Sequence, residues 1–234
     1  MSRAEAAGSP LNFPLAVCAL GALLLSPACI SRAPSIAPPP SHIEAMEGFG
    51  SITLRGEGGS SRTRFSFAFS LPSTGRIEAL DPLGRAASIF LFRDGDAYMI
   101  IPSKKAYWKG PHEDLLERFL GSRLRAEDMA GLLGGQWGAV ESDALRAWTL
   151  ERDASGRVPR GAKNEFRFEV PEFFRSTSVP RTIAFFDSGG SGRVRVLKIR
   201  FNRAPRGDAF GLSVLEGLEE KTWAEMEAIL NDED

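Results

Sequence analysis

Arg62-Thr63-Arg64-Phe65-Ser66-Phe67-Ala68-Phe69-Ser70-Leu71 is the stretch that decides the fold. Phe65, Phe67, Phe69 and Leu71 alternate with Arg64, Ser66, Ala68 and Ser70, the two-residue period of a strand that buries one face. A second strand runs from Gly75 to Leu80 and ends at Asp81-Pro82-Leu83-Gly84, where proline sets φ and glycine permits a positive φ, so the chain must turn. A third leaves through Ser88 to Phe92. Leu83 is thus a large aliphatic side chain inside a polar turn, either folded back onto the sheet or held in solvent.

Working outward, strands are expected over Ala97–Ile101 and Lys104–Trp108, hinged by Asp94-Gly95-Asp96. The period then changes. Leu115, Leu116, Phe119 and Leu120 form a stripe at helical spacing, and Gly121 sits where a helix ends. A second short helix is expected over Ala126–Leu133, stopping at Gly134-Gly135. Strands resume over Leu145–Glu151, Glu165–Val170, Arg181–Phe186 and Arg193–Phe201. In the last of these Val194 and Val196, continued to Lys198, are set against Leu197, Ile199 and Phe201. Ser188-Gly-Gly-Ser-Gly192 reads as a hairpin connection, because no helix follows that could make it a phosphate loop. Before the phenylalanine strand, Ser41-His-Ile-Glu44 has capping-box spacing and predicts a short helix to about Glu47. Gly48 and Gly50 would end it, and a first strand would follow over Ser51–Arg55.

Consecutive hairpins with a Pro-Leu-Gly tip, then two helices with a Gly121-x-x-Leu124 joint and a Leu132-Leu133-Gly134 ending, resemble the LolB family of outer-membrane lipoprotein receptors. More broadly they resemble the LolA/LolB-like half-barrel fold. The resemblance spans about Ser41 to Phe201. It implies an α+β domain in which a strongly curved antiparallel sheet, an incomplete β-barrel, has its concave face covered by helices. It also implies that the turn Pro82, Leu83 and Gly84 enters a membrane. An acyl cavity would be lined by Phe65, Phe67, Phe69, Leu71, Ile77, Phe90 and Phe92 from the early strands, by Leu116, Phe119 and Leu120 from the first helix, and by Phe166 and Phe168. Alternation alone builds a filled core as readily as a hollow one; the resemblance points to the hollow one.

The first thirty residues carry a different signal. Leu15 to Leu25 is apolar over the length of a signal-peptide core and too short to span a bilayer comfortably. Ser26-Pro27-Ala28-Cys29 follows and resembles a bacterial lipobox, with Ser26 where leucine is usual. A plain secretory signal cut near Ala28 and an uncleaved anchor are the alternatives. In the lipoprotein reading, residues 1–28 are removed, Cys29 is lipidated, and residues 29–41, with Pro34, Pro38, Pro39 and Pro40, form an extended tether. Ile30 in place of aspartate after the cysteine then points to the outer membrane. The half-barrel domain is expected over 42–206 and a C-terminal extension over 207–234. In that extension Thr222-Trp-Ala-Glu225 matches a capping box, and Trp223, Met226, Ile229 and Leu230 form an apolar helical stripe. That helix is expected either to pack on the domain or to serve as a lid or docking element.

Composition bounds the chemistry. The chain has 29 basic and 30 acidic residues, so nothing demands nucleic acid as a partner. Its two cysteines, Cys18 and Cys29, both precede the folded part. The only histidines are His42, before the expected short helix, and His112, expected exposed or capping at a helix start. No nucleophile elbow, metal-ligand spacing or nucleotide loop is present, so neither enzyme activity nor a cofactor or metal is expected. The reading is of a monomeric outer-membrane lipoprotein that takes acylated lipoproteins from a periplasmic LolA-like carrier and inserts them in the membrane. The alternative is an envelope lipoprotein of this fold that binds another lipid or a protein partner.

Overall fold

The computed structural model describes residues 34–56, 59–137, 147–187, 190–203 and 207–232. The leader, Cys18, Cys29 and residues 145 and 146 of an expected strand lie outside them, as do Ser188 and Gly189 of the expected hairpin loop. All described elements belong to one compact unit, Ala33–Asp234, with its own apolar core.

Among the described residues, twelve strands form a single open, curved sheet. The first six follow one another as a meander: β1 (Ala45–Gly56), β2 (Gly59–Ser70), β3 (Thr74–Leu80), β4 (Ala86–Arg93), β5 (Asp96–Ile101) and β6 (Ala106–Pro111). Two helices come next, α1 (His112–Leu120) and α2 (Ala126–Gly134). A second meander returns through β7 (Thr149–Glu151), β8 (Arg160–Lys163), β9 (Phe166–Phe173), β10 (Pro180–Asp187) and β11 (Gly190–Phe201). β11 pairs antiparallel with β1 and so closes the two meanders into one sheet, ordered β6-β5-β4-β3-β2-β1-β11-β10-β9-β8-β7. β12 (Glu219–Glu220) adds a parallel strand at the β6 edge, and α3 (Trp223–Asn231) follows it. This is the α+β incomplete barrel, with α1 against β5 and β6 and α2 against β10.

Curvature comes from pairing large rings with absent side chains. Phe65 lies opposite Gly50 and Phe67 opposite Gly48 across β1 and β2, and Phe69 lies opposite Gly75 on β3. A Cβ at Gly75 would stand 2.4 Å from the Phe69 ring, and one at Gly48 would stand 2.3 Å from that of Phe67. Phe168 over Gly161 and Phe185 over Gly192 repeat the device in the second meander. Glycine weakens a strand by itself, and a cross-strand aromatic compensates by covering the exposed backbone.

Three expectations fail here for physical reasons. No helix forms at Ser41–Glu44: Glu44 N–H and Ala45 N–H donate to the Asn202 carboxamide oxygen at 2.9 and 3.3 Å, and Asn202 Nδ2 donates to the His42 carbonyl at 2.7 Å. With the local donors satisfied by a residue far along the chain, β1 starts at Ala45, and Gly48 and Gly50 lie within it beneath the rings. The alternation of β11 breaks at Leu197, an extra residue between Val196 opposite Gly50 and Lys198 opposite Phe49. That bulge turns Ile199 inward and leaves both Leu197 and Lys198 outside. His112 is 3% exposed and lies edge-on to Phe92 at 5.3 Å, so it belongs to the core and not to a solvated helix start.

Residues 207–232 wrap the β6 side of the sheet. Phe210, Val214, Leu215 and Leu218 cover the outward side chains Ile89, Leu91, Tyr98 and Ile100, which is why β4 and β5 are apolar on both faces. Beyond β12, α3 turns to the inner layer. Thr222 and Glu225 cap each other reciprocally, Met226 is fully buried, and Trp223 packs edge-on to Trp108 at 5.4 Å and Phe119 at 6.0 Å.

Candidate binding cavity and tip

The inner layer is hollow at one end. A cavity of about 250 Å³ lies between β1–β4, β11 and the two mid-domain helices. Ile52, Leu54, Phe65, Ile77, Ala79, Phe90, Phe92 and Val194 line it from the sheet; Leu116, Phe119, Leu120, Met129 and Leu133 line it from α1 and α2. Thr63 and Ser88 are its only polar side chains. Such a lining can bind an apolar chain through burial alone, at about 0.8 kcal/mol per methylene, and offers a polar group only these two hydroxyls.

Of the expected lining residues, the structure brings together Phe65, Ile77, Phe90, Phe92, Leu116, Phe119 and Leu120 at this cavity. It places the others elsewhere. Phe67 and Phe69 are buried over Gly48 and Gly75 toward the opposite end, and Leu71 packs partly buried against the same core. Phe166 and Phe168 belong to a solid cluster: Trp137 stacks on Phe168 at 5.2 Å, and Trp148 meets Phe166 and Phe168 edge-on at 5.9 and 5.5 Å. Sequence reasoning missed Met129 and Leu133, whose helical stripe was legible, and Ile52, Leu54 and Val194, whose inward phase follows from the registers of β1 with β2 and of β11 with β1.

One carboxylate is wholly enclosed. Asp128, at 0% exposure, accepts from Trp148 Nε1 at 2.7 Å, from Lys163 Nζ at 2.7 Å and from the Arg125 backbone N–H at 2.8 Å. Held by these three donors, Asp128 fastens the N-terminus of α2 to the solid cluster. Among the described residues no group of three or more potential metal ligands comes together.

The cavity-lining residues Ala79 and Ser88 lie near the ends of β3 and β4 that flank the Asp81–Arg85 turn, and Thr63 on β2 donates to the Leu80 carbonyl at 3.3 Å. There Leu83 is 78% exposed. The turn is held from several sides: Gly84, at φ +82°, donates N–H to the Asp81 carbonyl at 3.0 Å, and the Asp81 carboxylate accepts from Arg85 N–H and Nε at 2.8 Å each. The Arg85 backbone N–H first, and its guanidinium second, hold the Asp81 carboxyl below its usual range. Arg64 donates to the Pro82 carbonyl at 3.0 Å. A side chain that could have folded back on the sheet is therefore presented outward by a braced loop. Among the described residues no helix is long and apolar enough to cross a membrane.

The sequence matches no family model and no curated protein. Solved structures do share the fold. An outer-membrane lipoprotein-sorting protein domain from Vibrio parahaemolyticus superposes with a TM-score of 0.51 at 12% identity, covering 73% of this chain and 91% of that one. A DUF1329 family protein from Desulfovibrio piger gives 0.52 at 10% identity, with 75% and 93% covered. A LolA-superfamily protein from Nitrosomonas europaea is more distant, at 0.43 and 13% identity over 69% and 88%. At such identities the likeness is one of fold alone, the open, curved sheet that this chain shares with the Vibrio and Desulfovibrio proteins.

Proposed function

We propose that this protein is a non-catalytic, lipid-binding protein of the bacterial cell envelope that accommodates an acyl chain in the cavity beneath α1 and α2. The observation that carries this reading is a cavity with thirteen apolar and two hydroxyl-bearing lining residues, in the half of the sheet that also carries a braced turn exposing leucine. The lipoprotein-sorting fold supports a lipoprotein as the source of that chain. In the fuller form of the proposal, Cys29 is lipidated and tethers the domain to the outer membrane. Acylated lipoproteins then arrive from a periplasmic LolA-like carrier, and the Leu83 turn enters the bilayer during release. A leucine buried in lipid contributes about 1.5–3 kcal/mol, enough to orient the domain and too little to anchor it.

The cavity volume favours a second reading. About 250 Å³ falls below the roughly 300–1,000 Å³ of sites for drug-sized ligands, so it takes part of one chain, and a multiply acylated cargo requires α1 and α2 to move apart. A single-chain envelope lipid can seat part of its chain without that movement.

Pull-down by the unit Ala33–Asp234 tests both, with an acylated lipoprotein held by its carrier and its unacylated form as control. Capture of the acylated form alone is expected. Failure to capture it, with retention of a fluorescent fatty acid, would favour the single-chain lipid; failure with both would remove the acyl-binding proposal.

A further inference from the structure

We infer that the convex face beside the Leu83 turn is a docking surface for an anionic lipid bilayer, with unpaired arginines meeting lipid phosphates. This goes beyond the acyl-binding proposal and does not depend on it.

The register sets the pattern. On β1 the outward residues toward the turn end are Ser51, Thr53 and Arg55. Ser51 lies opposite Arg64 on β2 and Arg195 on β11; Thr53 lies opposite Arg62 and Arg193; Arg55 lies opposite Ser60 and Ser191. Residues directly opposite share a face, so five guanidinium groups alternate with small hydroxyl side chains over three adjacent strands, spaced about 4.8 Å apart. Among the described residues, no acidic side chain occupies an outward position in this block. All five arginines are exposed, and Arg55, Arg62, Arg193 and Arg195 have no ion-pair partner among the described residues.

The far end of the same face serves as an internal control. There Arg76 pairs with Glu78 at 2.7 Å and Arg200 with Glu47 at 3.3 Å. In a chain of nearly balanced charge, arginines paired at one end and unpaired at the other mark a sorted surface.

Apolar groups choose a bilayer over other anionic partners. Phe186, 43% exposed, lies opposite Ser191 in the same block, and Arg64 ties the block to the Pro82 carbonyl beside exposed Leu83. Arginines flanked by a leucine and a phenylalanine match headgroups above hydrocarbon. Exposed Glu216, Glu219, Glu220, Glu225 and Glu227 lie around the β12 edge, five strands from β2, where like-charge repulsion turns that edge away from the membrane.

Flotation of the unit Ala33–Asp234 with vesicles tests the inference. Binding is expected to vesicles containing phosphatidylglycerol, not to phosphatidylcholine alone, and to weaken as salt rises. Replacing Arg62, Arg193 and Arg195 together by glutamine should lower it about a hundredfold, given the contribution of each cation near an anionic surface. Retention of a fluorescent fatty acid by that variant reports its fold and cavity separately. Equal binding to both vesicles, salt-independent binding, or an unchanged triple variant would overturn the inference. So would unchanged vesicle binding together with lost capture of an acidic protein. The salt series on the unsubstituted protein decides the matter even if the variant fails to fold.

Discussion

The two halves of the inner layer begin from the same pattern and end differently. Phe65 on β2 and Phe166 and Phe168 on β9 all alternate with polar residues and all point inward. Around Phe65 the space is hollow; around Phe166 and Phe168 it is solid. The difference lies in what the connecting segments deliver. Over β2 the cover consists of leucines, Phe119 and Met129 from two short helices; Phe119 meets Phe90 edge-on at 4.9 Å, and the remaining side chains leave the space beside that contact unfilled. Over β9 it consists of Trp137 and Trp148, with Trp148 held by the Asp128 carboxylate. Alternation sets which residues face inward, and the volume of the cover sets whether a cavity remains.

Helix α2 divides the halves, since Asp128 faces the solid side while Met129 and Leu133 line the hollow one. Asp128→Ala should have the largest effect. It strands the Lys163 ammonium and the Trp148 N–H without partners and should cost about 3–5 kcal/mol, measured by urea unfolding; a loss under about 1 kcal/mol would mean the network is dispensable. Next comes Gly48→Ala, whose new methyl would meet the Phe67 ring at 2.3 Å and the Lys198 carbonyl oxygen at 2.5 Å. A cost of about 1–3 kcal/mol is expected, and a neutral result would show that ring and strand yield readily.

Met129→Trp makes the hollow half resemble the solid one. Stability should rise by about 0.5–2 kcal/mol, the usual gain from cavity filling, while binding of a fatty acid is lost; undiminished binding would place the lipid elsewhere. The smallest effect belongs to the tip, the one part of the hollow end with no cover at all. Because the Asp81 carboxyl is held below its ordinary value of 3.8, its contribution is present above that value and lost as pH falls through the lowered one. Hydrogen exchange at the Arg85 amide should therefore stay slow at pH values where ordinary aspartates protonate. Asp81→Asn should speed it at neutral pH with the core unchanged; equal exchange in the variant would show that the carboxylate does not brace the turn.

Strands with strict alternation were legible because one-sided burial leaves a periodic trace. The helices of the middle and the capped helix at Thr222 were legible because capping chemistry and apolar stripes are local. β8 was not, since Arg160–Lys163 carries no apolar alternation and is a strand only through its pairing with β9 and β7. The Ser41 capping box failed for the converse reason: a valid local signal was overridden by Asn202, more than one hundred and fifty residues away along the chain. Part of the cavity lining could be read from phase alone. Its limits could not, because Phe67 and Phe69 carry the same phase as Phe65 and lie in the packed part.

By itself the sequence determined most of the long strands, the two mid-domain helices and the capped C-terminal helix, the inward phase of the phenylalanines of β2 and β9, and the presence of leucine in a tight turn. Those properties are local, written in spacing and in turn chemistry. Only the tertiary structure decided which inward faces stay hollow, that Leu83 stands in solvent, that residues 207–232 wrap both sides of the β6 edge, and that five arginines from three strands share one surface. Each of these depends on the volume or register of segments distant in the chain, and neither quantity leaves a trace in any short window of residues.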